Sequence, residues 1–304
     1  MRDNLGNTDH EKKQDMQGKP VHGFFYHLFG ILKAAALIII FLIAASTALH
    51  QTMTVWEKGR TPPAGDLVTA DGHKMSIYVT GRGENTIVLL PGLDTAAPIL
   101  DFMPLAQALA RENRVVVVEP LGYGWSNTTK EARTVENTVE ELRIALKAEG
   151  LDGPYVLMPH SISGIDALYY ANTYPDEVCA VIGIDCTLPA MPDYFGEGEP
   201  AQVPAILGLL NPVGIIRWSC MLNPDAYISD NSSGLYTPGN LAMQKRIAAR
   251  MGQNATVIDQ MNRIGDNMEI TKDMKFDSQL PLLFFTRDGS SQEAREDGKS
   301  SVSF

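Results

Sequence analysis

Val115-Val116-Val117-Val118 is a run of four adjacent β-branched residues, and it restricts the fold more than any other stretch. A strand with one wet face alternates apolar and polar residues. Four valines in a row leave no polar face, so this strand must be covered on both sides, as strands of a parallel sheet are. Thr86-Ile87-Val88-Leu89-Leu90, closed by Pro91-Gly92, is a second run of this kind. Tyr155 to Met158, Ala180 to Asp185 and Leu282 to Thr286 read as further strands. Helical patterns separate them. Val135, Val139, Leu142 and Leu146 recur at helical spacing, with Glu136, Glu140 and Glu141 early and Gly150 as the stop. Ile162 to Tyr174 is another such pattern. Strands and helices alternating over short links predict a parallel, doubly wound α/β sheet with right-handed crossovers. Ahead of it, Leu67 to Ala70 and Met75 to Val79 flank Asp71-Gly72, a turn pair that accepts positive φ, which predicts a hairpin.

Pro159-His160-Ser161-Ile162-Ser163-Gly164 joins one of these strands to the helix after it. A serine at a sharp strand-to-helix turn is lifted off the sheet, and the helix behind it aims free N–H groups and a positive dipole end at whatever the hydroxyl attacks. The alternative is a plain helix cap on Ser161. The context supports the first reading. The stretch resembles the G-x-S-x-G nucleophile elbow of α/β-hydrolases, with Pro159 and Ser163 in place of the two glycines. Pro91-Gly92-Leu93-Asp94 stands where that family has its His-Gly-x turn. Glu119-Pro120-Leu121-Gly122-Tyr123-Gly124-Trp125-Ser126 is similar to its D-x-x-G-x-G-x-S turn. The resemblance covers residues 66–186 closely and 280–288 loosely.

The resemblance implies an α/β-hydrolase fold and a set of roles. Ser161 is the nucleophile, and the N–H groups of Leu93 and Ile162 form the oxyanion hole. The acid follows the seventh strand, which points to Asp288, with Asp185 at the end of the sixth as the alternative. For either aspartate the competing reading is a solvated or capping carboxylate. The base of the family comes on a loop after an eighth strand. The six histidines here are His10, His22, His27, His50, His73 and His160. None follows the elbow, and none is placed to accept the Ser161 proton. No eighth strand or final helix can be read before Phe304, so the expectation is a shortened hydrolase or a natural non-catalyst. A hydrolase-fold binding or signalling protein is the rival function. A dehalogenase would need aspartate where Ser161 stands.

Ala34 to Leu49 is sixteen residues without a charge, and Phe24 to Leu32 is also largely apolar. Residues 34–56 are long enough to span a bilayer, with Trp56 at the boundary and Lys33 able to snorkel. Arg2, Lys12, Lys13, Lys19 and Lys33 precede the span, while residues 50–65 carry only Lys58 and Arg60. This bias predicts residues 1–33 in the cytoplasm and the hydrolase domain outside. A cleaved signal peptide ending in Ser46-Thr47-Ala48 is the alternative and would give a secreted domain, though its n-region would be unusually long. Residues 57–65 read as a linker, 66–186 as the core, 187–278 as a helical lid and 279–304 as the end of the core.

Beyond residue 33 the chain carries 20 basic and 32 acidic residues, a net charge of −12. That balance argues against nucleic acid as a partner. The three cysteines make no disulfide framework and lack the neighbours of a zinc site, and no phosphate-binding glycine loop occurs. No metal or cofactor is expected. Apolar residues in the lid segment, among them Ile206, Leu207, Leu209 and Trp218, suggest a small-molecule substrate with an apolar part.

Overall fold

The computed structural model describes residues 21–198 and 200–286, with side chains from residue 25 onward. The chain divides into two compact units, residues 1–45 and 46–304. The described part of the first is an apolar helix. That helix, α1, spans Val21–Lys58, so its last turns, from Ser46, belong to the second unit. Among the described residues it is the one helix long and apolar enough to cross a membrane. It runs past the hydropathic segment 34–56 at both ends and takes in Glu57 and Lys58 from the expected linker. Hydropathy falls at His50 and Gln51, but no glycine or proline follows Gly30 in the helix before Gly59. Thr52 Oγ1 and Thr61 Oγ1 donate back to the Ala48 and Glu57 carbonyls.

The second unit is built on a seven-stranded sheet: β1 (Asp66–Ala70), β2 (His73–Thr80), β3 (Thr86–Leu90), β4 (Arg114–Glu119), β5 (Tyr155–Pro159), β6 (Val178–Ile184) and β7 (Leu282–Phe285). Their order across the sheet is β1-β2-β4-β3-β5-β6-β7. The β1–β2 hairpin is antiparallel and joins β4 through Ile77 opposite Val118. From β4 to β7 every pairing is parallel, with Val88 of β3 opposite both Val116 and Leu157. Strands and helices follow one another as the alternating pattern requires. The helices are α2 (Pro98–Leu109), α3 (Val135–Ala148) and α4 (Ser163–Thr173), then α5 (Met191–Phe195), α6 (Ile215–Leu222), α7 (Pro238–Met251), α8 (Ala255–Asn262) and α9 (Ile264–Thr271). Regular structure between residues 187 and 278 is entirely helical among the described residues.

The four valines now have a physical explanation. Val116 and Val118 pack with Val139, Leu142, Leu146, Ile165 and Tyr170 from α3 and α4. Val115 and Val117 face the opposite way, onto Ile99, Phe102 and Ala106 of α2. All four are fully or almost fully buried. At about 1.5–3 kcal/mol for each buried aliphatic side chain, this strand ties the two helical layers to one sheet. The C-terminal ends of β3, β4, β5 and β6 thereby converge on one edge, where the candidate site lies. Residues 287–304, which would bear on an eighth strand, lie outside the described residues.

Candidate active site

Ser161 has φ +53°, a left-handed conformation that serine adopts only where the surroundings enforce it. The enforcement is visible. Its N–H donates to the Ile184 carbonyl at the end of β6 (3.1 Å), and its carbonyl accepts from Thr187 N–H (2.9 Å). His160 bridges to Ile184 as β5 ends, and its N–H donates to the Leu90 carbonyl. The chain then enters α4 at once, with Gly164 N–H donating to the Ser161 carbonyl. A strained serine held between a strand end and a helix start is an elbow, not a helix cap: Ser161 makes no cap hydrogen bond to α4. Gly164 is needed here because a Cβ would lie 2.5 Å from the Thr187 carbonyl oxygen.

The turn after β3 closes against the elbow. A Cβ on Gly92 would lie 2.8 Å from His160 Nδ1 and 3.2 Å from Ser161 Cβ, so only glycine fits. Ser163 is buried and its Oγ donates to the Pro91 carbonyl at 2.5 Å. The serine in the second glycine position of the motif therefore joins the two turns. Leu93 and Ile162 stand in these adjoining turns, and their N–H groups donate to no other described residue. Asp94 is also left-handed, at φ +58°, and its N–H meets the Tyr123 hydroxyl at 3.3 Å.

No described imidazole or carboxylate hydrogen-bonds Ser161 Oγ. The His160 ring turns to the Gly92 side and meets Phe102 edge-on at 6.4 Å between centroids. His73 Nε2 lies 3.4 Å from Thr129 Oγ1, and His50 is buried against Arg217. His27 lies in the apolar helix, as does His22, and His10 lies outside the described residues. Asp185 sits just past β6 at φ +45°, its N–H donating to the Phe285 carbonyl of β7. Asp288 lies outside the described residues.

Residues 85–211 match the family model of the alpha/beta hydrolase fold. The chain has the α/β-hydrolase fold. Over 220 residues it is 33% identical to the uncharacterized protein YbdG of Bacillus subtilis (strain 168), an alignment covering 70% of this chain and 61% of that relative. An uncharacterized Schizosaccharomyces pombe protein is 28% identical over 109 residues, 36% of this chain and 20% of its own length. The chain thus spans less than two thirds of either curated relative. Among solved structures, the enol-lactonase from Burkholderia xenovorans superposes with a TM-score of 0.53 at 15% identity, covering 73% of this chain and 80% of the enzyme. The Vigna radiata epoxide hydrolase VrEH1 gives 0.51 at 18% identity, covering 73% and 78%. Likeness at these identities is likeness of fold.

A cavity of about 360 Å³ begins at Asp94, one residue beyond Leu93. Thr95, Ala97 and Asp101 line one side, and Tyr227, Ser229, Gln244 and Gln253 of the 187–278 segment line the other. Ser161 is not among its lining residues. The segment's apolar residues contribute little: Ile206, Leu207, Leu209 and Trp218 are turned to the outside instead.

Two carboxylates escaped the sequence reasoning: Glu119, which is fully buried, and Asp166, which keeps partial exposure. Glu119 accepts from Ile99 N–H (3.3 Å) and Trp125 N–H (2.7 Å), fixing the start of α2 and the turn after β4. Burial pushes its carboxyl up to about 7. It also forbids any side chain at Gly124, whose Cβ would overlap it. Asp166, on the first turn of α4, is likewise raised to about 7, with desolvation as the largest cause and the Arg133 charge opposing it. The available signals were a carboxylate closing an all-valine strand and an aspartate inside an otherwise apolar helix face.

Proposed function

We propose that this protein is a membrane-anchored serine hydrolase in which Ser161 attacks an ester, thioester or amide carbonyl and carries the acyl group. The observation that carries the reading is the left-handed Ser161 between β5 and α4, with Leu93 and Ile162 in adjoining turns and their N–H groups unpaired among the described residues. A carbonyl oxygen placed between those donors would gain charge as the tetrahedral intermediate forms. Removing one such donor typically costs about 3 kcal/mol of barrier. The acid that would orient a base is Asp288, or Asp185 in its place. The cavity at Asp94 would take part of a small substrate.

The proton acceptor is the open step, because Ser161 Oγ has no imidazole partner among the described residues. Without one, the hydroxyl stays protonated at neutral pH, and the rate falls by several powers of ten, to a residue of roughly 10³-fold over water. The reading therefore predicts slow hydrolysis of a short-chain aryl ester and faint fluorophosphonate labelling. Added imidazole should raise both by at least about tenfold over the Ser161→Ala variant measured under the same conditions. This expectation follows from the general-base role. The missing partner also favours a second reading, a ligand-binding protein on the hydrolase fold. If the difference between the chain and Ser161→Ala is zero with and without imidazole, that second reading replaces the first.

The anchor belongs to the same proposal. The apolar helix has the length of a span, and the basic residues before it favour a cytoplasmic amino end with the hydrolase domain extracytoplasmic. Retention, as opposed to signal-peptide cleavage near Ala48, is supported by the built-in role of Ser46, which bonds to the 205–222 segment. Protease added to intact cells should release the domain. Cleavage only after lysis would reverse the orientation.

A further inference from the structure

Val203 to Leu222 is twenty residues with a single charge, Arg217. That charge is hidden: Arg217 is buried and makes a two-pronged pair with Glu57 at 2.6 and 2.9 Å. Its Nε also donates to His50 Nδ1, and Nη2, one of the two groups that hold Glu57, donates to Thr54 Oγ1 as well, both at 3.3 Å. The apolar side chains of the same segment do the opposite. Ile206, Leu207, Leu209, Ile215, Met221 and Leu222 are all exposed, Leu222 at 87%. Soluble surfaces do not ordinarily collect large aliphatic residues while burying the one cation among them.

The second observation is where this segment is held. Ser46 Oγ donates to the Val213 carbonyl (2.7 Å) and accepts from Trp218 Nε1 (2.9 Å), and Gln51 reaches the Pro212 carbonyl. Gly214, at φ +85°, comes so near that a Cβ would lie 2.9 Å from His50 Cβ and 3.0 Å from Ser46 Oγ. Every partner comes from Ser46–Glu57, the part of α1 that follows directly on the apolar segment. Chain connectivity keeps the exposed apolar face next to the point where that segment ends.

We propose that the face formed by residues 206–222 is a membrane-contact surface, seated in the outer layer of the same bilayer that holds the apolar segment of α1. The inference rests on the anchor reading above. A bilayer is the occupant favoured by three features: continuity with the span, the absence of any outward charge, and Trp218, a residue suited to the interface by its apolar body and polar edge. The Arg217–Glu57 pair holds α6 in place while its cost of burial is met inside the protein.

The test uses the full chain in phosphatidylcholine nanodiscs with Cys179→Ser, which removes the exposed thiol. Nitroxide is placed singly at Ile206→Cys, Leu209→Cys, Leu222→Cys, at Ile38→Cys in the apolar helix, and at Glu84→Cys as a remote control. Power saturation should show 206, 209 and 222 accessible to oxygen and shielded from a water-soluble nickel chelate, as 38 is, with 84 the reverse. Nickel access at all three lid positions with 38 still shielded overturns the inference and leaves the anchor standing. Nickel access at 38 as well overturns both. Shielding from both reagents with spin–spin broadening between copies assigns the face to a second chain and overturns the bilayer as occupant.

Discussion

Ser163 Oγ donates to the Pro91 carbonyl at 2.5 Å, so one buried hydroxyl holds the first turn of α4 to the turn that follows β3. Ser163→Ala removes the donor and leaves that carbonyl buried and unpaired. The expected loss is about 1–3 kcal/mol, read as a lower denaturation midpoint in urea. Leu93 stands two residues beyond Pro91, so residual labelling of Ser161 should also fall in this variant. An unchanged midpoint would mean that the two turns are held together by backbone contacts alone.

Arg217 and Glu57 are both about 6% exposed at their side chains. Breaking such a pair from one side leaves a charge with no partner, which typically costs about 3–5 kcal/mol. Glu57→Gln and Arg217→Met should each lower the melting temperature of the detergent-solubilised chain by several degrees. The double variant should recover much of the loss, because two neutral groups need no partner. If the double variant is as unstable as the sum of the singles, the pair is not a coupled unit.

The fold was readable because its strands are buried on both faces and therefore apolar throughout; Val115–Val118 admit no other arrangement. The elbow was readable from Ser161 and Gly164, since close backbone approach there demands small residues. The cover was not. Apolar residues at 206–222 were expected to line a substrate cavity, yet composition alone cannot tell an inward apolar face from an outward one. The decisive partner, Glu57, lies 160 residues away in the sequence. Nor could the sequence reveal Ser163 as a clasp between turns, because its acceptor is a main-chain oxygen 72 residues earlier.

The cysteines should separate cleanly by reactivity. Cys186 donates its thiol hydrogen to the Pro159 carbonyl (3.1 Å), and burial raises it to about 12; burial raises Cys220 to about 11. Thiolate is the reactive form, so neither should react at neutral pH. Cys179 is exposed. Iodoacetamide should therefore modify one cysteine in the native chain, mapped to Cys179 by mass spectrometry, and three in denaturant. Native modification of Cys186 would show that the end of β6 opens readily.

Asp166 should make stability depend on pH in a definite direction. Its folded carboxyl titrates near 7, against 3.8 as its ordinary value, with burial as the largest cause. Below the ordinary value both folded and unfolded chains hold the proton, and burial costs nothing electrostatic. Between about 4 and 7 the unfolded chain releases the proton first, so stability falls as pH rises. Above 7 the folded chain carries the anion against the desolvation of its site, a penalty moderated by Arg133 and by the partial exposure of Asp166. Asp166→Asn keeps the shape and removes the charge. Its melting temperature relative to the parent should rise between pH 5 and pH 8, by several degrees at the upper end. Glu119, also raised to about 7, remains in both chains and cancels in the comparison. A difference that is flat over this range would place the Asp166 carboxylate in contact with solvent or with Arg133 strongly enough to offset its burial.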